Sequence, residues 1–170
     1  MSDAPCPASE PDTLTADVAG HRLEVIVDGD QRLDHILTLL TGAIRSIDII
    51  MYIFEHDGAG TRVLDAMTIA ARRGVRVRAV IDSFGSSDIS DSIFTPLREA
   101  GGSVTFFSRR WRSSYLIRNH QKLLLIDETV AITGGFNIAT PYLGTQPDNC
   151  WFDLGIVVRG PSVARMVAWF

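Results

Sequence analysis

Residues 47–82 read IDIIMYIFEHDGAGTRVLDAMTIAARRGVRVRAVID. Ile47–Phe54 is apolar on both faces, as a strand buried between two layers must be. Val63, Leu64, Met67, Ala70 and Ala71 then recur at helical spacing. Arg72 and Arg73 suit the negative end of that helix, and Gly74 stands where a helix turns into its left-handed exit. Val75–Ile81 alternates apolar and polar residues, the period of a strand. A strand, a helix and a second strand in direct succession predict a parallel pair joined by a crossover.

Working outward, Leu23–Val27 reads as a short strand ending at the turn-like Asp28-Gly29-Asp30. Ile36, Leu37, Leu40 and Ile44 form a helical stripe, with Asp34 near its start. Ile93, Phe94, Leu97 and Ala100 predict another helix, closed by Gly101-Gly102. Val104–Phe107, Lys122–Ile126, Val130–Thr133 and Leu154–Val158 complete the strands. After Gly160-Pro161, the residues Val163, Met166, Val167 and Phe170 begin a last amphipathic helix. The expected fold class is α/β, with a mixed, largely parallel sheet sandwiched between helices. Residues 1–19 are expected to be a disordered tail, and residues 20–170 one domain.

A formal charge of −4 over 170 residues does not suggest a dedicated nucleic-acid binder. The charge is unevenly spread. No acidic residue falls between Glu99 and Asp127, whereas Arg109, Arg110, Arg112, Arg118 and Lys122 all do. Such a stretch is either a solvated surface or a local trap for an anionic substrate. Cys6 and Cys150 make no disulfide framework, so a reducing, cytoplasmic compartment is the expectation. No run approaches the ~20 apolar residues that a membrane-spanning helix requires. The first 19 residues also lack the basic and apolar regions of a signal peptide.

The chemistry concentrates in residues 119–137, NHQKLLLIDETVAITGGFN. His120 and Lys122 are two apart, so on a strand they share a face. Two adjacent cations repel, which favours a neutral imidazole able to act as nucleophile or base. The lysine then supplies positive charge for an anion, and phosphate suits both. Asp127 has the opposite parity and is expected to anchor the strand end or a neighbouring loop. Gly134 and Gly135 allow close approach of backbone to a ligand, and Asn137 offers an amide donor to a phosphate oxygen. A metal centre is discounted, because no second His or Cys lies at ligand spacing from His120.

Taken together, HxK, four residues, Asp, six residues and GGxN resemble the signature of the phospholipase D superfamily. The stretches MYIFEHDGAG, ARRGVRVRAVIDSFGS, NHQKLLLID and TGGFNIA extend the likeness to its bacterial cardiolipin synthase branch. What the resemblance implies is a two-step transfer without metal or other cofactor. His120 would attack the phosphodiester phosphorus and form a phosphohistidine. A second His, from another copy of the motif, would protonate the leaving oxygen. Lys122 and Asn137 would hold the non-bridging oxygens, with Gly134 and Gly135 lining the phosphate. Asp127 is carried over as the motif's acid. Asp153 matches the family carboxylate that orients the nucleophilic imidazole, and Asp148 is the alternative. Glu55 fits either an active-site acid or an exposed loop residue, and Arg118 is a further candidate.

One motif is present where full-length relatives carry two. The implied partner is therefore a C-terminal half beyond Phe170 or a second copy in a homodimer. The implied substrate is a phospholipid of phosphatidylglycerol type, met at a membrane surface by peripheral association with the inner face. The alternatives are a metal-independent homodimeric nuclease, with nucleic acid as substrate, and a non-catalytic half-domain that binds phosphodiesters.

Overall fold

The computed structural model describes residues 14–107, 118–144, 151 and 153–170. Arg109, Arg110, Trp111, Arg112, Tyr115, Asp148, Cys6 and Cys150 lie outside the described residues.

The chain runs β1 (Leu14–Val18), β2 (His21–Ile26), α1 (Gly29–Gly42), β3 (Ser46–Met51), α2 (Gly58–Arg72) and β4 (Arg76–Asp82). A 3-10 turn (Asp91–Phe94) leads into the short α3 (Thr95–Glu99) and β5 (Ser103–Phe107). Then come β6 (Leu123–Ile126), β7 (Val130–Gly134), β8 (Gly155–Arg159) and α4 (Ser162–Trp169). The strands form one sheet in the order β1-β2-β8-β7-β6-β3-β4-β5.

The mixed sheet is as expected, but its parallel share is small. Among the described strand pairs only β3–β4 and β4–β5 are parallel; β1–β2, β2–β8, β8–β7, β7–β6 and β6–β3 are antiparallel. A parallel crossover needs a dozen or more residues, and the turn from β6 to β7 spans only Asp127–Thr129. The hairpin is forced by the short link.

Several boundaries also differ from expectation, β3 ending at Met51 rather than Phe54 among them. Residues 14–18 are not tail but the edge strand β1, all of it exposed and paired with β2 through a turn at Ala19 (φ 49°) and Gly20 (φ 76°). Two left-handed residues match the twist of a tight hairpin, and ladder pairing rather than burial holds this strand. Helix α1 starts at Gly29, capped by Asp28, whose carboxylate accepts from the Gln31 N–H at 2.9 Å. Asp34 therefore lies inside the helix, and Ile44 falls beyond it, 79% exposed.

Strand parity divides the core. Ile47, Ile49, Met51, Leu124, Ile126, Ile132 and Val157 face α1, α2 and α3, packing with Ile36, Leu40, Val63, Met67 and Leu97. Ile50, Leu123, Leu125, Ala131 and Val158 face the other way, against Val163 and Met166 of α4. Helices thus cover both faces. Asp48, fully buried among the β3 aliphatics, is compensated by Arg78 Nε at 2.6 Å. Among the described residues no helix is long and apolar enough to cross a membrane.

Candidate active site

The register brings five segments to one end of the sheet. Leu123 at the start of β6 pairs with Ile50 near the end of β3 and with Thr133 near the end of β7. Gly134 pairs with Gly155 at the start of β8. Residues 118–122, the Gly134–Asn137 turn and Asp153 consequently converge beside the C-terminal ends of β3 and β4.

His120 and Lys122 sit just before β6 rather than within it, yet they meet. The Lys122 Nζ lies 3.3 Å from His120 Nδ1 and donates to the His120 carbonyl oxygen at 3.0 Å. His120 is exposed, whereas Lys122 is only 6% exposed. Burial lowers the Lys122 pKa, and the negative charge of Asp153 partly restores it. The Lys122 carbonyl accepts from Thr133 Oγ1 at 2.8 Å, tying the approach segment to β7.

The approach segment is held from below by a residue the sequence pattern did not single out. Asp82, 1% exposed at the end of β4, accepts from the Asn119 N–H at 2.8 Å. Its other oxygen accepts from Phe84 and Gly85. Asn119 in turn accepts from the Gln121 N–H. The clue was available, since an Asp followed closely by Gly commonly closes such a turn.

Asn137 is buried, and its Oδ1 accepts from the Ile53 N–H at 3.1 Å, which leaves the Nδ2 group to donate. An isolated parallel bridge between Phe54 and Ile138 fastens this turn to the end of β3. A Cβ on Gly135 would stand 2.2 Å from Asp153 Oδ1, so glycine is what admits the carboxylate there. The Asp153 carbonyl accepts from Arg32 Nη1 at 2.6 Å, and the Tyr142 carbonyl from Arg32 Nη2 at 2.7 Å. Arg32, 1% exposed in α1, is a second support that the sequence did not reveal. Asp153 makes no hydrogen bond or ion pair with His120 in this structure, so the contact implied for it is not formed here.

Asp127 lies at the far end of β6, away from the pair. Its carboxylate accepts from the N–H groups of Ile44, Arg45 and Ser46, as an anchor should. Desolvation alone would raise its pKa, but those three donors and the Arg45 charge outweigh it and hold the carboxyl below the usual range. Glu55 is exposed on a cleft of about 440 Å³ shared with Asp57, Ser86 and Asp88. Partial desolvation and the charges of Asp57 and Asp88 raise its pKa. Arg118 stacks over the Phe84 ring at 3.6 Å. Among the described residues no group of His, Cys, Asp and Glu is placed to hold a metal ion.

A family model described as "Cardiolipin synthase, PLD-like domain" matches residues 36–169. The chain belongs to that family. Among curated relatives of this cardiolipin synthase-like domain, the major cardiolipin synthase ClsA of Bacillus subtilis is 36% identical over 146 residues, covering 83% of this chain and 30% of its own length. The chain thus spans about a third of that relative. Solved structures share the fold. The phospholipase D family member Nuc from Salmonella typhimurium aligns with a TM-score of 0.64 at 21% identity, covering 88% of this chain and 90% of its own. Phosphatidylserine synthase from Haemophilus influenzae aligns with a TM-score of 0.70 at 17% identity, covering 86% of this chain and 36% of its own.

Proposed function

We propose that this domain is one catalytic lobe of a phospholipase D-type phosphatidyltransferase, moving a phosphatidyl group between phospholipids as a cardiolipin synthase does. The observation that carries the reading is the His120–Lys122 pair at the sheet end where Asn137 and Asp153 also gather. The His120 imidazole attacks phosphorus, the bond from phosphorus to the alcohol oxygen breaks, and a phosphohistidine remains. Lys122 and the Asn137 amide balance the negative charge that grows on the non-bridging oxygens. The acid that protonates the leaving alcohol is a second His, supplied by a further motif on a longer chain or by a second copy.

A lipid substrate agrees with the surface next to the site. Trp151 and Leu154 flank Asp153 and are 62% and 50% exposed, and Trp151 stacks on Tyr142. An aromatic and an aliphatic residue standing in water beside a phosphate site suit the interface of a membrane, approached peripherally. A second reading, a homodimeric phosphodiesterase acting on nucleic acid, draws support from the overlap with Nuc, of whose chain the alignment covers 90%.

Incubation with phosphatidylglycerol labelled in its phosphatidyl group, and in parallel with single-stranded DNA, over a range of protein concentrations tests the assignment. Label on His120 from the lipid supports phosphatidyl transfer. Cleavage of DNA alone would overturn it in favour of the second reading. Binding of phosphodiesters that survives His120→Ala, with no adduct at any concentration, would mean a non-catalytic domain.

A further inference from the structure

The geometry points to Tyr52 as a positioning residue for both members of the catalytic pair, an inference that rests on the function proposed above. Tyr52 follows the last residue of β3 and is half-buried. Its ring lies 4.3 Å, centroid to centroid, from the imidazole of His120, at an interplanar angle of 48°. The Lys122 Nζ stands 5.2 Å from the same ring, within the range where an ammonium is attracted to an aromatic face. One aromatic ring therefore touches the nucleophile and the phosphate clamp together.

The ring is itself held from behind. A Cβ on Gly85 would stand 2.8 Å from Tyr52 Cε2 and 2.3 Å from the Tyr52 carbonyl oxygen, so the ring lies close against the bare backbone of Gly85. Ser86 Oγ donates to that carbonyl at 3.2 Å and accepts from the Phe54 N–H at 2.9 Å. Asp82 braces the same loop through Phe84 and Gly85 while it holds Asn119. The chain from Asp82 to Gly85 thus fixes the platform on one side and the His120 approach on the other.

The need for such a platform follows from exposure. His120 lies outside the strand, open to solvent, and its imidazole has no hydrogen bond among the described residues except to Lys122. An imidazole free to rotate would spend much of its time away from the line of attack. Ring packing by Tyr52 restricts that rotation without adding a charge or competing for a ring nitrogen. The phenol oxygen plays no part in either contact, so phenylalanine should serve as well.

Nuclear magnetic resonance on the free chain tests the contact without requiring turnover. Cross-relaxation between the Tyr52 ring protons and His120 Hδ2 or Hε1, with upfield ring-current shifts of the latter, is expected. Tyr52→Phe should keep both features. Tyr52→Leu should abolish the shift and slow phosphohistidine formation roughly ten- to a hundredfold with little change in KM. Absence of cross-relaxation in the unsubstituted chain would overturn the inference, and this arm stands even if Tyr52→Leu fails to fold. Equal adduct rates in folded Tyr52→Leu and Tyr52→Phe would overturn it as well. If the contact is seen but no adduct forms with any phosphodiester, the proposed function fails while the platform stands.

Discussion

The Lys122 ammonium nitrogen stands 3.3 Å from His120 Nδ1, although neither residue belongs to a strand. Their meeting depends on the Asp82 brace and the Thr133 tie more than on strand parity. It places a positive charge beside the imidazole, where the proposed transfer needs one for a phosphate oxygen.

Removing that charge should cost rate. Lys122→Met is expected to slow adduct formation by about 10²–10³-fold, the usual loss when one donor to a developing oxyanion is deleted. Stopped-flow or quench measurements of the first step, with thermal melting as the control, check this.

The alkaline limb of that rate should report Lys122. Burial lowers its pKa, so its proton is lost below the ordinary lysine range and activity falls there as pH rises. Asp153 opposes this shift, so Asp153→Asn should move the limb to still lower pH. A limb unchanged by Asp153→Asn would break the link between the two.

Asp127 should matter for stability and not for chemistry. Asp127→Ala strands the N–H groups of Ile44, Arg45 and Ser46, at a cost of roughly 1–3 kcal/mol in urea unfolding. Its pKa is held down in the folded state, so this contribution is complete above the unfolded carboxyl pKa of about 3.9 and fades as pH falls through the lower folded value. The adduct rate per folded molecule should stay within about twofold of the unsubstituted chain, the scatter expected for a distant site.

Gly135→Ala tests the reason for the paired glycines. Its Cβ would meet Asp153 Oδ1 at 2.2 Å and force the carboxylate away. The substitution should reproduce the shifted alkaline limb of Asp153→Asn, measured on the same rate profile.

Much of this arrangement was legible in the residues. The β3–α2–β4 unit follows from the apolar run, the helical stripe and the Gly74 stop, because each is a local signal. The anchoring expected of Asp127 agrees with its three backbone donors, although it stands in the turn after β6 rather than on the strand whose parity suggested it. What escaped depended on pairing across long sequence distance. Strand β1 has no buried face to mark it, and three of the five antiparallel pairings (β2–β8, β3–β6 and β7–β8) join strands that no tight turn connects. Asp28 looked like part of a turn because an N-cap and a turn use the same residue types. Arg32 and Asp82 brace the site from α1 and β4, and Tyr52 closes against a histidine 68 positions away. No local pattern encodes the contacts of Arg32 and Tyr52, whereas the Asp82 turn carried a local clue.

The central claim is that His120 is the nucleophile, and an activated phosphodiester with a nitrophenol leaving group tests it most directly. Such a leaving group departs without protonation, so the second His is not required for the first step. The account predicts release of nitrophenol in a burst of one equivalent per chain, with a phosphoryl adduct mapped to His120 and absent from His120→Ala. An adduct on another residue, or a burst that persists in His120→Ala, would contradict it.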